Sequence, residues 1–227
     1  MTEEIRTEAP ADRADEARWR AALYQLASHA FLEEPSDEEL SGLIEGARAA
    51  VSAGEGWNLA CERELLEQLA ALDASDDALG TQVRSEYAEL FVGPRPPLAP
   101  LYESLYVGYP RRLLTETTRK VRDTYERCGL TVEQRNRIPD DHVGFELEFM
   151  ARLCEREAAA LEDGNAAAAR ECRNEQERFL REHLGAWAGP FCEKVQQAPS
   201  AYYRHWAVFV RDFVDEDESL LAEAEEA

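Results

Sequence analysis

The chain has 227 residues, 44% apolar and 32% charged, enough to bury the core of one domain or at most two. That balance excludes a chain disordered by composition and one embedded in a bilayer. Its 25 basic residues face 47 acidic ones, and the net charge of −22 repels duplex nucleic acid and anionic lipid while favouring cationic partners.

No window approaches the roughly 20 unbroken apolar residues of a membrane span, and Glu3, Glu4, Glu8 and Asp12 are unlike an export signal. Cys61, Cys128, Cys154, Cys172 and Cys192 lie far apart with no CxxC pair. They read as small core residues in a reducing cytoplasm, neither a disulfide framework nor a zinc knuckle. Lys120 and Lys194 are the sole lysines beside 23 arginines. The skew fits a GC-rich genome or a salt-loaded cytoplasm in which a dense carboxylate surface stays hydrated.

Along the chain, residues 1–14 read as a flexible acidic N-terminus. Trp19, Ala22, Leu23, Leu26 and Ala30 recur at helical spacing up to Phe31, and Pro35 ends that helix. Ser36 and Glu39 form a capping box that opens a second helix, through Leu40, Leu43, Ile44 and Ala47. After Gly54 and Gly56, a third helix carries Leu65, Leu66, Leu69 and Leu72, and a fourth carries Leu79, Val83, Tyr87 and Leu90.

Six residues of 93–110 are Gly93, Pro94, Pro96, Pro97, Pro100 and Pro110, a composition that forbids helix and predicts an ordered loop or hinge. Helical spacing resumes at Leu114, Thr118, Val121 and Tyr125, with Gly129 as a left-handed cap. Pro139 and Asp140 open the helix through Leu147, Met150 and Cys154; Gly164 and Asn165 stop and restart it. Further helices carry Phe179, Trp187 and Val195, then Tyr202, Trp206, Phe209 and Phe213, and the acidic segment 215–227 is expected to fray. A few extended residues near Leu130 to Val132 are the nearest approach to a strand. The expected fold is all-α: one irregular bundle of about nine or ten helices over 15–214, in which helices 15–92 and 111–214 flank the proline-rich loop 93–110.

Phosphate-loop, dinucleotide, GxSxG and HExxH signatures are absent, so nucleotide chemistry and the common hydrolase types have no support. Two stretches stand out. Glu86 to Pro94 delivers Tyr87, Leu90 and Phe91 into the stiff loop that continues to Leu101-Tyr102-Glu103-Ser104-Leu105-Tyr106. Leu90 and Phe91 taken alone read more readily as core packing than as binding residues; for the loop the binding reading is stronger, since prolines lower the entropy cost of presenting apolar side chains to a peptide. The second is Pro139-Asp140-Asp141-His142-Val143-Gly144-Phe145-Glu146-Leu147-Glu148-Phe149-Met150. His142 and Glu146, one turn apart, could share a metal. Asp140 and Asp141 suit an N-cap, or the bidentate reception of guanidinium groups with His142 orienting the contact.

Together these stretches resemble the TorD/DmsD family of redox-enzyme maturation chaperones, whose members carry a YxxLFxGP…P..ES.Y stretch followed by EPDDHxGxELEFM. Leu23-Tyr24 to Phe31, Glu34-Pro35 and His183-Leu184-Gly185-Ala186-Trp187 extend the likeness over roughly residues 18 to 214. Arg95 replaces a frequent second Gly, and Ile138 replaces the Glu that usually precedes the proline, which removes one carboxylate.

The resemblance implies a cytoplasmic, non-enzymatic chaperone without a cofactor of its own. Its partners would be the twin-arginine signal peptide and apo catalytic subunit of a molybdenum or tungsten oxidoreductase, held back from export until the pterin cofactor is inserted. By resemblance the binding residues are Tyr87, Leu90, Phe91, Pro94, Pro100, Tyr102, Glu103, Ser104, Asp140, Asp141 and His142. The first three would meet the peptide's apolar run, and Asp141, supported by Asp140 and Glu103, its arginines. A homodimer stays open, and the alternative from another class is a helical metal-dependent hydrolase using Asp140, Asp141, His142 and Glu146.

Overall fold

The computed structural model describes residues 10–54, 59–93, 96–109, 111–133 and 137–223. Nine α-helices and no β-strand are found among them: α1 (Pro10–Leu32), α2 (Asp37–Ala53), α3 (Ala60–Ala70), α4 (Leu79–Tyr87), α5 (Glu116–Arg127), α6 (Val143–Glu162), α7 (Ala166–Phe179), α8 (Gly185–Gln197) and α9 (Tyr202–Glu223). The extended backbone expected near Leu130 forms no strand among the described residues, its Leu130 N–H donating to the Tyr125 carbonyl at 2.9 Å; an antiparallel bridge instead joins Tyr102 to His142. No described helix is long and apolar enough to cross a membrane.

The helix ends follow from local chemistry. Ser36 and Glu39 close the capping box at α2, and Asn165 accepts the Ala168 N–H to start α7. Gly54, Gly129 and Gly164 take positive φ where the chain reverses. Two helices run on through a wider turn, α4 through Ala88–Val92 and α7 through Leu180–Leu184 into α8. Within the first of these turns the adjacent Leu90 and Phe91 are both buried. Gly185 closes the second one, where a Cβ would stand 2.7 Å from the Leu180 carbonyl oxygen.

Helix α6 is the axis of the molecule. It buries Val143, Phe145, Leu147, Phe149, Met150, Leu153 and Cys154 on several faces, with α1 laid along it and α7 beside it, while α8 packs on α9 and α2 on α3. Full burial of each large apolar side chain contributes about 1.5–3 kcal/mol. Phe31, Tyr87, Phe91, Phe191 and Tyr203 form one aromatic cluster, with ring centroids 5.1 to 6.4 Å apart. The cysteines are free thiols; Cys61, Cys154 and Cys192 are buried, and burial pushes the Cys61 thiol up to about 12.

Residues 215–223 are helical where the sequence suggests fraying, because α9 continues to Glu223 and buries Asp217 and Leu221; residues 224–227 lie outside the described residues. Asp217 meets Arg20 of α1, itself fully buried, and accepts from the Tyr24 hydroxyl at 2.6 Å. Arg20 also donates to Gln176 of α7 at 2.7 Å, and Gln176 donates to Glu157 of α6 at 2.8 Å. One guanidinium thus ties together α1, α6, α7 and α9.

Candidate functional site

The two stretches singled out in the sequence meet in space. The Glu103 N–H donates to the Asp141 carbonyl at 2.9 Å, the Val143 N–H to the Leu101 carbonyl at 2.8 Å, and the Ser104 N–H to Asp141 Oδ2 at 2.9 Å. The proline-rich segment is thereby fastened across the mouth of α6. The helix cap is His142, not either aspartate: its Nδ1 accepts the Gly144 N–H at 3.1 Å. Burial pushes the His142 pKa down to about 3, so its ring stays neutral across physiological pH and senses no guanidinium by titration.

The carboxylates expected to receive arginines are already engaged. Asp140 Oδ2 takes two N–H bonds from Arg122, at 3.0 and 2.5 Å, and Asp141 is fully buried. Behind them lies a closed polar cluster. Glu103 is 3.1 Å from His183 Nδ1, and the Trp187 indole donates to Glu146 Oε2 at 2.9 Å. Ser104 Oγ and Asp141 Oδ1 have no hydrogen-bond partner among the described residues. Desolvation, with Glu103 and Asp141 nearby, holds the Glu146 carboxyl well above the usual range. Asp140, His142 and Glu146 each serve a different partner, and no group of three His, Cys, Asp or Glu among the described residues could hold a metal ion. The hydrolase constellation therefore does not assemble.

Tyr87, Leu90 and Phe91 belong to the core instead of a displayed surface; the Tyr87 hydroxyl donates to the Phe31 carbonyl at 3.1 Å. Pro100 and Tyr102 are half-buried, Glu103 and Ser104 buried, and Pro94 lies outside the described residues. What the loop region exposes is Val92, Leu98 and Tyr109, with Leu113 and Leu114 just beyond it.

The family described as the nitrate reductase delta subunit matches residues 56–193, well over half of the chain. The chain belongs to this family, that of the TorD/DmsD redox-enzyme maturation proteins. A chaperone protein TorD from Vibrio cholerae is 24% identical over 90% of this chain and 92% of its own length. A chlorate reductase assembly chaperone protein from Ideonella dechloratans is 33% identical over 57% of this chain and 66% of its own. The fold is that of a crystal structure described as a redox enzyme maturation protein from Archaeoglobus fulgidus, with TM-score 0.50, 20% identity, and coverage of 88% of this chain and 93% of that one.

In this TorD/DmsD-family chain the larger open concavity is lined by none of the motif residues. A trough of about 530 Å³ runs between α1, α2 and the start of α9, floored by Leu26, Ala30, Leu40, Leu43 and Trp206. That size lies within the range of about 300–1,000 Å³ common for ligand sites. A second hollow of about 340 Å³, lined by Leu130, Val132, Ile138, Phe145 and Phe149, adjoins it, and Leu32 and Glu33 line both. The wall between them depends on Gly144, where a Cβ would stand 2.6 Å from Leu32 Cγ. Sequence reasoning missed this trough. Its one linear signal is Glu33-Glu34-Pro35, two acids placed just past a helix end.

Proposed function

We propose that the chain is a cytoplasmic maturation chaperone, not a catalyst, for a molybdenum or tungsten oxidoreductase. It binds the twin-arginine signal peptide and the apo catalytic subunit, and delays export until the pterin cofactor is in place. The observation that carries this reading is the joining of the two family motifs, through Asp141, Ser104, Leu101 and Val143, into one support on α6, whose Phe145 lines the hollow that adjoins the open apolar trough. A preformed concave apolar surface binds an extended peptide with little further ordering cost. Relatives bearing the names TorD and chlorate reductase assembly chaperone support the client class.

Within this reading the motif residues act mainly as positioning residues. Asp140, Asp141, His142, Glu103 and Ser104 hold the segment on α6, Tyr87, Leu90 and Phe91 anchor its approach, and Pro94 and Pro100 stiffen it. Half-buried Tyr102 stands 5.2 Å from the His142 ring, which in turn lies 5.4 Å from Phe145 in the second hollow.

Titration of the whole protein with a synthetic twin-arginine signal peptide, followed calorimetrically, tests the proposal. Saturable binding is expected, weaker for the twin-lysine version because ammonium cannot form the two-pronged contact of guanidinium. No binding of either peptide overturns it.

A further inference from the structure

The four-residue link between α1 and α2 concentrates negative charge at a place where the fold gains nothing from it. Glu33 and Glu34 directly follow the last turn of α1, whose carbonyls already carry partial negative charge. Both side chains are exposed, and neither has an ion-pair partner among the described residues. The acids one turn further on differ: Asp37 pairs with Arg84 at 2.7 Å, and Glu39 closes the cap of α2, where the positive helix end favours it. Pro35 fixes the link as non-helical, so Glu33 and Glu34 stay on the rim of the trough. His29 is the one basic group in the last turn of α1.

The two hollows differ in their basic residues. The one by Phe145 has Arg152 on its rim, paired with Glu148 at 3.2 Å and Glu155 at 3.0 Å, beside Glu33 and Glu133. The larger lobe by Trp206 has no Arg or Lys in its lining.

We infer that this trough is the seat of a basic-then-apolar peptide, with adjacent guanidinium groups on Glu33 and Glu34 and the apolar run against Leu26, Leu40, Leu43 and Trp206. This rests on the proposed signal-peptide binding and locates it away from Asp141 and His142. Two guanidinium groups at the link offset Glu33, Glu34 and the negative end of α1 together, beyond what Arg84 supplies by donating to the Pro35 carbonyl at 3.5 Å and pairing with Asp37. The neighbouring apolar floor accepts side chains that would otherwise stay in water.

The experiment uses the full chain and a twin-arginine peptide bearing a photo-crosslinker within its apolar run. Crosslinks to α2 or the start of α9 are expected. Glu33→Gln/Glu34→Gln should weaken binding about tenfold and narrow the preference for arginine over lysine, and Leu43→Arg should weaken it by at least about tenfold. Both substitutions lie at exposed or half-buried positions, and unchanged melting curves show that the fold is kept. If the wild type binds and both variants bind equally well, or if crosslinks fall only on residues 98–109, this seat is overturned while the chaperone reading stands. If the wild type binds no such peptide, both fall.

Discussion

Glu146 shows how one buried carboxyl sets a pH dependence. Its pKa is raised by desolvation and then by the nearby Glu103 and Asp141, so the folded chain holds this proton more tightly than the unfolded one, whose value is near 4.5. Above about pH 4.5 the native state carries the extra proton, and its stability falls as pH rises toward the folded value. Glu146→Gln keeps an acceptor for the Trp187 indole and cannot ionise. In denaturant unfolding it should match the wild type near pH 4.5 and exceed it at pH 8; equal stability at both would show that Glu146 ionises freely. Glu103, Asp141 and His142 were legible in the sequence as special positions. Their partners were not, because a hydrogen bond from Ser104 to Asp141 spans 37 residues and no linear pattern records it.

At the scale of elements, apolar spacing, the capping box at Ser36 and the glycine stops placed most helices near their observed positions. The wide turns escaped notice, since they insert a residue without a breaker and bring Leu90 and Phe91 inward together. The acidic end of the last helix escaped too. It looks like a solvated tail until Asp217 is seen against Arg20, a contact spanning 197 residues. Arg20→Met should cost about 3–5 kcal/mol in unfolding free energy, because it leaves buried Asp217 without its guanidinium. Adding Asp217→Leu should recover much of that loss, since a buried ion pair exchanged for apolar groups is often nearly neutral. A single-variant loss under 1 kcal/mol would mean that α9 is not locked through this pair.

For the whole molecule, the charge of −22 sets two opposing responses to salt. The Debye length shrinks from about 30 Å at 0.01 M to about 3 Å at 1 M, so repulsion among surface carboxylates is progressively screened. The melting temperature should rise over that range, while affinity for an arginine-bearing peptide falls as the attraction to Glu33 and Glu34 is screened. A rise that continues beyond about 1 M KCl would favour a salt-adapted surface; a plateau by about 0.2 M would assign the arginine excess to genome composition.

The most direct test of the chaperone assignment is isolation of the tagged protein from its own cells, followed by mass spectrometry of what accompanies it. The expected companion is the catalytic subunit of a molybdenum or tungsten oxidoreductase, with its twin-arginine signal peptide uncleaved and its pterin site empty. Recovery of only the mature, cofactor-loaded enzyme, or of no oxidoreductase at all, would contradict the account.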